Sequence, residues 1–319
     1  MNIPKVERRH RSSGFLFSPR ARKKYRERRH NMQLGFIGLG QLGKAIAGRL
    51  IDCGNRLLVW NRSPEKVEGL MKAQLLQSPA EVASAADIIH VCLFDSAGVL
   101  DVLTQEKGLL KGNIKGKIII DHSTNHFKEV LAFHELCAQA GAQYLEAPVL
   151  GSVLPAHKGQ LTVLISGDQA TYDQVRPVLD QISAHMFYLG APGQASKMKL
   201  INNLALGGFM AILGEAVAFA ESVGIDKATV LDILDVGGGK SLVLSGKKEK
   251  MLNNDFSTHF STSLIYKDLH CLQDLAYSEQ RPLYTAAVTK EIFARAMAEG
   301  LGDLDFSAAY TVFKNQIKK

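Results

Sequence analysis

Cysteine is scarce in this chain. Cys53, Cys92, Cys137 and Cys271 are the only four among 319 residues, none lies near another, and no Cys-x-x-Cys pair occurs. That spacing excludes a disulfide-stapled scaffold and a zinc knot; reduced thiols suit a reducing compartment, so the expected location is the cytoplasm. Long apolar runs are also lacking. The longest unbroken apolar and glycine stretch, Leu204–Gly214, is too short to span a bilayer, so no membrane partner is expected. The first 31 residues lack an apolar h-region, which excludes a secretory signal. The body of the chain lacks a charge excess. Residues 1–31 hold eleven Lys/Arg against two Glu, which leaves 27 Lys/Arg and 29 Asp/Glu for the rest of a chain whose net charge is +7. The basicity therefore belongs to a tail, and no folded basic face for nucleic acid is indicated. The tail, with Arg8-Arg9-His10-Arg11 and Arg20-Ala21-Arg22-Lys23-Lys24, reads as a disordered extension, with organelle targeting as the alternative.

What is present is an ordinary globular composition, 46% hydrophobic and 22% charged, of a length that suits two domains. From Met32 onward short apolar runs alternate with helical stretches. Leu34-Gly35-Phe36-Ile37 and Leu57-Leu58-Val59-Trp60 read as buried strands, and Gln41–Cys53 between them as a helix with Leu42, Ala45, Ile46 and Leu50 near 3.6 spacing. Further strands are expected at Ile88–Leu93, Lys117–Ile120, Gln143–Leu145, Leu161–Ile165 and Met186–Leu189, with helix starts such as Ser78-Pro79-Ala80-Glu81 between them. This alternation predicts an α/β domain with a mainly parallel, doubly wound sheet covered on both faces. After about Gly193 strands are no longer predicted. Gln194–Val223 reads as one helix of about 45 Å, apolar nearly all round in its middle. Helices are expected next over Lys227–Val236, Ser263–Ser278, Leu283–Glu299 and Phe306–Ile317. The predicted organisation is a tail (1–31), a dinucleotide-binding domain (32–193) and an all-helical domain (194–319) joined through the long helix. So long an apolar helix needs more cover than a small domain provides, which points to a homodimer or higher oligomer.

Gly38-Leu39-Gly40-Gln41-Leu42-Gly43 is a G-x-G-x-x-G sequence that follows a strand and opens a helix, the context in which it marks a Rossmann-type dinucleotide site. Gly38 permits the tight turn, Gly40 lets the pyrophosphate approach the backbone, Gly43 lets helix and strand pack closely, and the helix N-terminus attracts the phosphates. Where an NAD enzyme usually places an acid against the ribose 2′-hydroxyl, this chain has Asn61-Arg62-Ser63. No acid there repels a 2′-phosphate, and the Arg62 guanidinium and Ser63 hydroxyl offer donors, so NADP (NADPH) is expected over NAD. Leu93, which closes the third expected strand, and Phe94 after it are further candidate cofactor contacts. Ser123 and Thr124 follow a strand where contacts to the nicotinamide side are expected, or else they cap the next helix.

Lys199 and Asn203 are four apart and share a helix face near the start of the long helix, where the two domains should meet. A buried lysine releases its proton near neutral pH and suits protonation of a carbonyl oxygen as hydride arrives. Lys197, two residues earlier, faces elsewhere and reads as solvated. His122 and His126 are four apart without a partner set, so they read as loop or capping histidines, and no metal is expected.

Four stretches together resemble the β-hydroxyacid dehydrogenase family, over nearly all of 33–319 and most closely its NADPH-dependent glyoxylate and succinic semialdehyde reductases. They are Gly35–Gly43; Glu146–Ser152 with Gly159-Gln160-Leu161-Thr162; Gly193–Asn203; and Lys267-Asp268-Leu269 with Gly300–Ser307. The resemblance implies that Lys199 is the catalytic lysine with Asn203 beside it. It puts Asp268 and Phe260 near the substrate, although a helix salt bridge and a core position are the plain alternatives for these two. Val149, Leu150, Gly151 and Ser152 fall in the implied substrate loop. The family's loop usually carries Ser where this chain has Leu150, and a leucine cannot hydrogen-bond a carboxylate. The expected partner is a small carbonyl or hydroxyacid substrate. A catalytically silent dinucleotide-binding module and an imine reductase of the same architecture are the alternatives.

Overall fold

The computed structural model describes residues 32–314, and the basic tail lies outside them. The described residues form two compact units, one reaching to Ser123 and resuming over Leu131–Pro192, the other made of Thr124–Val130 and the chain from Gly193 onward. The sequence predicts a single crossing near 193; the short excursion at 124–130 carries no composition signal and is set by packing, with Phe127 buried in the second unit's core.

In the first unit β1 (Leu34–Ile37), β2 (Leu57–Trp60), β3 (Ala73–Leu75), β4 (Ile88–Val91), β5 (Ile118–Asp121) and β6 (Gln143–Glu146) form a six-stranded sheet in the order β3-β2-β1-β4-β5-β6. Each neighbouring pair is parallel, in the order of a doubly wound dinucleotide-binding sheet. Helices α1 (Gln41–Asp52), α2 (Pro79–Ala85), α3 (Ser96–Thr104) and α4 (Glu129–Gln139) make the crossovers. β1, β4 and β5 are buried along their whole length, which is why they read as mostly apolar runs, broken only by His90 in β4 and by Asp121 at the end of β5, rather than as alternation. Ser78 starts α2 by accepting the Glu81 N–H at 3.2 Å, the start signal its sequence carries.

The single expected sheet is in fact two. β7 (Val149–Leu150) pairs antiparallel with β8 (Leu161–Ile165), and β8 pairs parallel with β9 (Ser183–Tyr188). A strand of two residues leaves no periodicity to read. Between β7 and β8 lies α5 (Val153–His157), and α6 (Gln169–Leu179) connects β8 to β9.

The second unit is built on α7 (Gln194–Ser222). Its face of Leu200, Met210, Leu213 and Val217 belongs to a core shared with α8 (Lys227–Val236), α9 (Leu242–Asn253), α10 (Thr262–Ser278), α11 (Tyr284–Ala298) and α12 (Ala309–Lys314). The helix expected over Phe306–Ile317 begins as a 3-10 turn, Phe306–Ala308, and continues as α12. By length and composition alone α7 is apolar enough to cross a membrane, with a window of mean hydropathy 1.6. The contiguous-run criterion misses this because Glu215 interrupts the stretch. Within its unit, however, α7 buries one whole face and carries buried Lys199 and Asn203. Helix α9 is absent from the sequence reading. Its run Gly246-Lys247-Lys248-Glu249-Lys250 looks solvated, yet Lys247 is buried against Asp305 at 2.8 Å and Lys250 donates to the Ser257 carbonyl at 2.6 Å.

Candidate active site

The first unit offers a cradle for a dinucleotide at the glycine turn. Gly38 has φ +94°, and a Cβ there would meet the Cys92 carbonyl oxygen at 2.2 Å; one on Gly43 would meet the Gly38 carbonyl oxygen at 2.0 Å. These two glycines are therefore required by the turn and by helix packing. Gly40 is different: it is exposed, a Cβ on it would meet nothing within 4 Å, and it caps α1 with no side-chain hydrogen bond. The first turn of α1 carries no acid, so nothing there opposes the attraction of the helix's positive end for a phosphate. Leu39 is buried, Gln41 exposed and Leu42 half-buried against the core. The residues present fit a bound pyrophosphate.

At the end of β2, the Asn61 side chain accepts the Leu39 N–H at 2.8 Å and donates to the Ser63 carbonyl at 2.9 Å. Expected as a cofactor contact, its amide is committed to tying β2 to the glycine turn. Arg62 is exposed, and Ser63 precedes a 3-10 turn without a side-chain cap bond. An exposed guanidinium and a hydroxyl without a cap bond are donors of the kind a 2′-phosphate takes.

On the other side of β1, Leu93 and Phe94 follow β4, Leu93 half-buried and Phe94 exposed. Ser123 neither caps a helix nor faces solvent. It is buried, its hydroxyl accepts the Leu93 N–H at 2.9 Å, and its own N–H donates to Asp121 at 2.8 Å. Asp121 also accepts from the Tyr144 hydroxyl at 2.5 Å. His122, expected in a loop or cap, is a core residue instead. Its ring stacks on that of His90, with Nε2 2.9 Å from His90 Nδ1 and Nδ1 2.9 Å from the Ala147 carbonyl oxygen. The carbonyl accepts, so His122 Nδ1 carries hydrogen, His122 Nε2 accepts from His90 Nδ1–H, and His90 Nε2 is left a bare lone pair, buried without a partner. Burial, and then the neighbouring His122, hold the His90 ring well below the usual histidine range; burial also lowers His122. Among the described residues no group of three or more His, Cys, Asp or Glu is placed to hold a metal.

The loop expected to touch substrate is partly strand. Val149 is buried in β7 and half-buried Leu150 pairs with Thr162, so only Gly151 and Ser152 are loop. Gly151 takes φ +116°, which a residue with a side chain rarely adopts, and Ser152 precedes α5.

The second unit holds the amine. Lys199 and Asn203 are buried on one face of α7, one turn apart. Asn203 Nδ2 donates to Asp268 Oδ2 on α10 at 2.5 Å. Asp268 Oδ1 lies 3.0 Å from Lys267 Nζ, which donates to the Thr124 carbonyl at 2.8 Å. Asp268 thus joins the amine's cluster and also forms the local salt bridge. Burial lowers the Lys199 amine to about 8; Asp268 opposes that shift and Lys267 adds to it. An amine so poised is mostly protonated at neutral pH and still a competent acid. Lys197 is only one-third exposed and lies 3.9 Å from Glu279, outside this cluster. Phe260 packs edge-on to Phe306 with ring centres 5.6 Å apart, at the margin of the helical core. The sequence reading missed Lys267, His90, Asp121 and Tyr144 as parts of these networks. A charged or polar residue ending an apolar strand, as Asp121 does, was the available signal.

Comparison with known proteins adds to this geometry. Residues 33–190 match a family model described as the NAD binding domain of 6-phosphogluconate dehydrogenase, and residues 193–313 one described as NAD-binding of NADP-dependent 3-hydroxyisobutyrate dehydrogenase. The chain is 35% identical over 285 residues to glyoxylate/succinic semialdehyde reductase 1 of Arabidopsis thaliana, covering 89% of this chain and 99% of that one. It is 34% identical over 283 residues to the cytokine-like nuclear factor N-PAC of Homo sapiens, covering 88% of this chain and 51% of that relative, so it spans about half the latter's length. A solved structure, Psf3 in complex with NADP+ and 2-OPP, is 29% identical with a TM-score of 0.81, covering 88% of this chain and 99% of that chain.

Proposed function

The chain belongs to the β-hydroxyacid dehydrogenase family of NAD(P)-dependent oxidoreductases, and on that premise we propose that it is an NADPH-dependent reductase of a small aldehyde of the glyoxylate or succinic semialdehyde kind. The observation that carries this reading is the buried Lys199 amine beside Asn203 and Asp268, at about 8 and so ready to give a proton. The choice of NADPH rests on Asn61-Arg62-Ser63, where an exposed guanidinium replaces the usual acid, and is supported by the NADP+ complex of a similar chain.

When bound, the dinucleotide supplies the hydride that adds to the carbonyl carbon. The chain's own part is to hold the pyrophosphate at Gly38–Gly43 and the 2′-phosphate at Arg62 and Ser63. Lys199 Nζ gives its proton to the carbonyl oxygen, which becomes the hydroxyl, and the neutral amine regains a proton from water. Asn203 holds Asp268 and orients the face on which Lys199 stands. Leu150 offers no hydrogen bond to a substrate carboxylate, so that end of the substrate falls to backbone donors such as Gly151 and Ser152 or to another anchor.

The test is NADPH and NADH consumption on a panel of short aldehydes, semialdehydes and a cyclic imine. Turnover of aldehydes with NADPH preferred supports the reading. Turnover of the imine alone favours an imine reductase, and no turnover favours a silent module, the reading to which similarity to a nuclear factor lends weight. Against a module stands the buried amine, which a protein without turnover has no reason to keep.

We also propose a homodimer through α7, whose Ile201, Phe209, Ile212 and Phe219 are exposed in one stripe along the helix. A monomer in sedimentation equilibrium, at concentrations where the wild type is otherwise well behaved, contradicts it.

A further inference from the structure

Asn61 stands between two parts of the dinucleotide cradle and bonds to both. On the glycine-turn side the ladder between β1 and β2 passes from main chain to side chain. Gly38 N–H donates to the Trp60 carbonyl at 3.1 Å, and the next donor, Leu39 N–H, goes to Asn61 Oδ1 at 2.8 Å. On the other side Asn61 Nδ2 donates to the Ser63 carbonyl at 2.9 Å. That carbonyl also accepts the Lys66 N–H at 3.2 Å, so the amide braces the turn that carries Arg62 and leads into the 3-10 helix Pro64–Val67. The partners fix the amide's orientation, because Leu39 N–H can only donate and the Ser63 carbonyl can only accept. They also explain the residue type. A carboxylate, which an NAD enzyme usually places at the end of this strand, would keep the first bond and set oxygen against oxygen in the second. Among side chains of this length only an amide serves both. On its β4 side the glycine turn is already held by close packing, since the Cys92 carbonyl oxygen lies 2.2 Å from where a Cβ on Gly38 would stand. Asn61 holds the β2 side.

We propose that Asn61 is a positioning residue that couples the two phosphate-binding parts of the cradle: one amide sets both the glycine turn for the pyrophosphate and the Arg62–Ser63 turn for the 2′-phosphate. This deepens the proposed function and rests on its dinucleotide site. Each polar atom of the Asn61 amide is engaged within the chain, so its contribution is the shape of the turn. The pyrophosphate is common to NADPH and NADH, and a well-shaped glycine turn serves the two alike. Arg62 tells them apart. Anchoring and discrimination are thus divided between adjacent residues. A direct contact with the 2′-phosphate, through the second hydrogen on Asn61 Nδ2, would favour NADPH alone.

The experiment is calorimetric titration of the full chain with NADPH and with NADH, in the wild type and in Asn61→Leu, which fills similar space and bonds to neither partner. Both dissociation constants should rise by about tenfold, and their ratio should stay within about twofold of the wild-type ratio. A second readout needs no dinucleotide. In hydrogen exchange followed by NMR, the Leu39 amide should exchange at least about tenfold faster in Asn61→Leu, while the amides of β5 stay as slow as in the wild type. Asn61→Asp, which keeps the acceptor, should leave Leu39 exchange near the wild-type rate. Asn61→Ala replaces Asn61→Leu if the latter loses the dispersion of a folded spectrum. A loss confined to NADPH overturns the proposal by making Asn61 a ligand of the 2′-phosphate. Unchanged affinities, or unchanged Leu39 exchange in a folded variant, overturn it as well. A wild-type chain that binds neither dinucleotide removes the proposed function itself, and this inference with it.

Discussion

Asn203 on α7 donates its amide N–H to the carboxylate of Asp268 on α10 at 2.5 Å, both side chains being buried. One turn away on the same face, Lys199 buries an amine that its surroundings push toward neutrality. Two polar residues on one face thus stand in opposite relation to stability. Asn203→Leu leaves a buried carboxylate short of a charge-assisted bond and should destabilise the fold by about 2–3 kcal/mol. Lys199→Met removes the burden of a buried charge. Because the folded amine titrates at about 8 rather than 10.5, the unfolded chain binds the extra proton between those values, and stability of the wild type rises with pH across that window. The burden is complete below pH 8, so Lys199→Met should gain stability at pH 7, on the order of 3 kcal/mol at most, and the gain should vanish near pH 10.5. Urea unfolding of both variants at pH 7 and pH 10 checks the two signs.

The cofactor assignment turns on Arg62. Its side chain is exposed at the end of β2, next to a Ser63 whose hydroxyl makes no cap bond. Arg62→Glu removes the phosphate's partner and adds repulsion, so NADPH binding should weaken by about a hundredfold or more while NADH binding changes little. Calorimetric titration with both dinucleotides decides it. An equal loss for both removes Arg62 from the site.

The stacked pair His90 and His122 gives the first unit an acid-sensitive core. Both rings are held neutral by burial, His90 well below the usual range, and protonation of His90 would create a donor with no partner. The unfolded chain begins to bind these protons below about pH 6.5, so this contribution is intact above that value and is lost as the pH falls. Each histidine should remove about 1.4 kcal/mol per pH unit while its folded form stays neutral. His90→Phe, which keeps the stack against Phe36 at the loss of one hydrogen bond, should flatten the decline in urea midpoint between pH 6.5 and 5. A decline as steep as that of the wild type contradicts the account.

Much of this arrangement was legible because burial leaves a simple mark. Strands β1 and β5, covered on both faces, spell mostly apolar runs; the glycine turn spells its own sterics; and Lys199 with Asn203 spells one helix face. What escaped reading was set by partners distant in sequence. Lys247 and Lys250 look like a solvated run until Asp305 and Ser257 are folded against them. His122 looks like a loop histidine until His90, 32 residues earlier, stacks on it. Lys267 looks like the helix neighbour of Asp268, and nothing local says that it reaches the Thr124 carbonyl 143 residues away.

The central claim is that Lys199 supplies the proton for carbonyl reduction. Its most direct test compares NADPH oxidation by the wild type and Lys199→Ala on the best aldehyde of the panel, with NADPH affinity measured in parallel. The account predicts that kcat falls by roughly 10²–10⁴-fold while the dissociation constant for NADPH stays within about twofold. A variant that turns over the aldehyde at the wild-type rate would show that the proton comes from elsewhere.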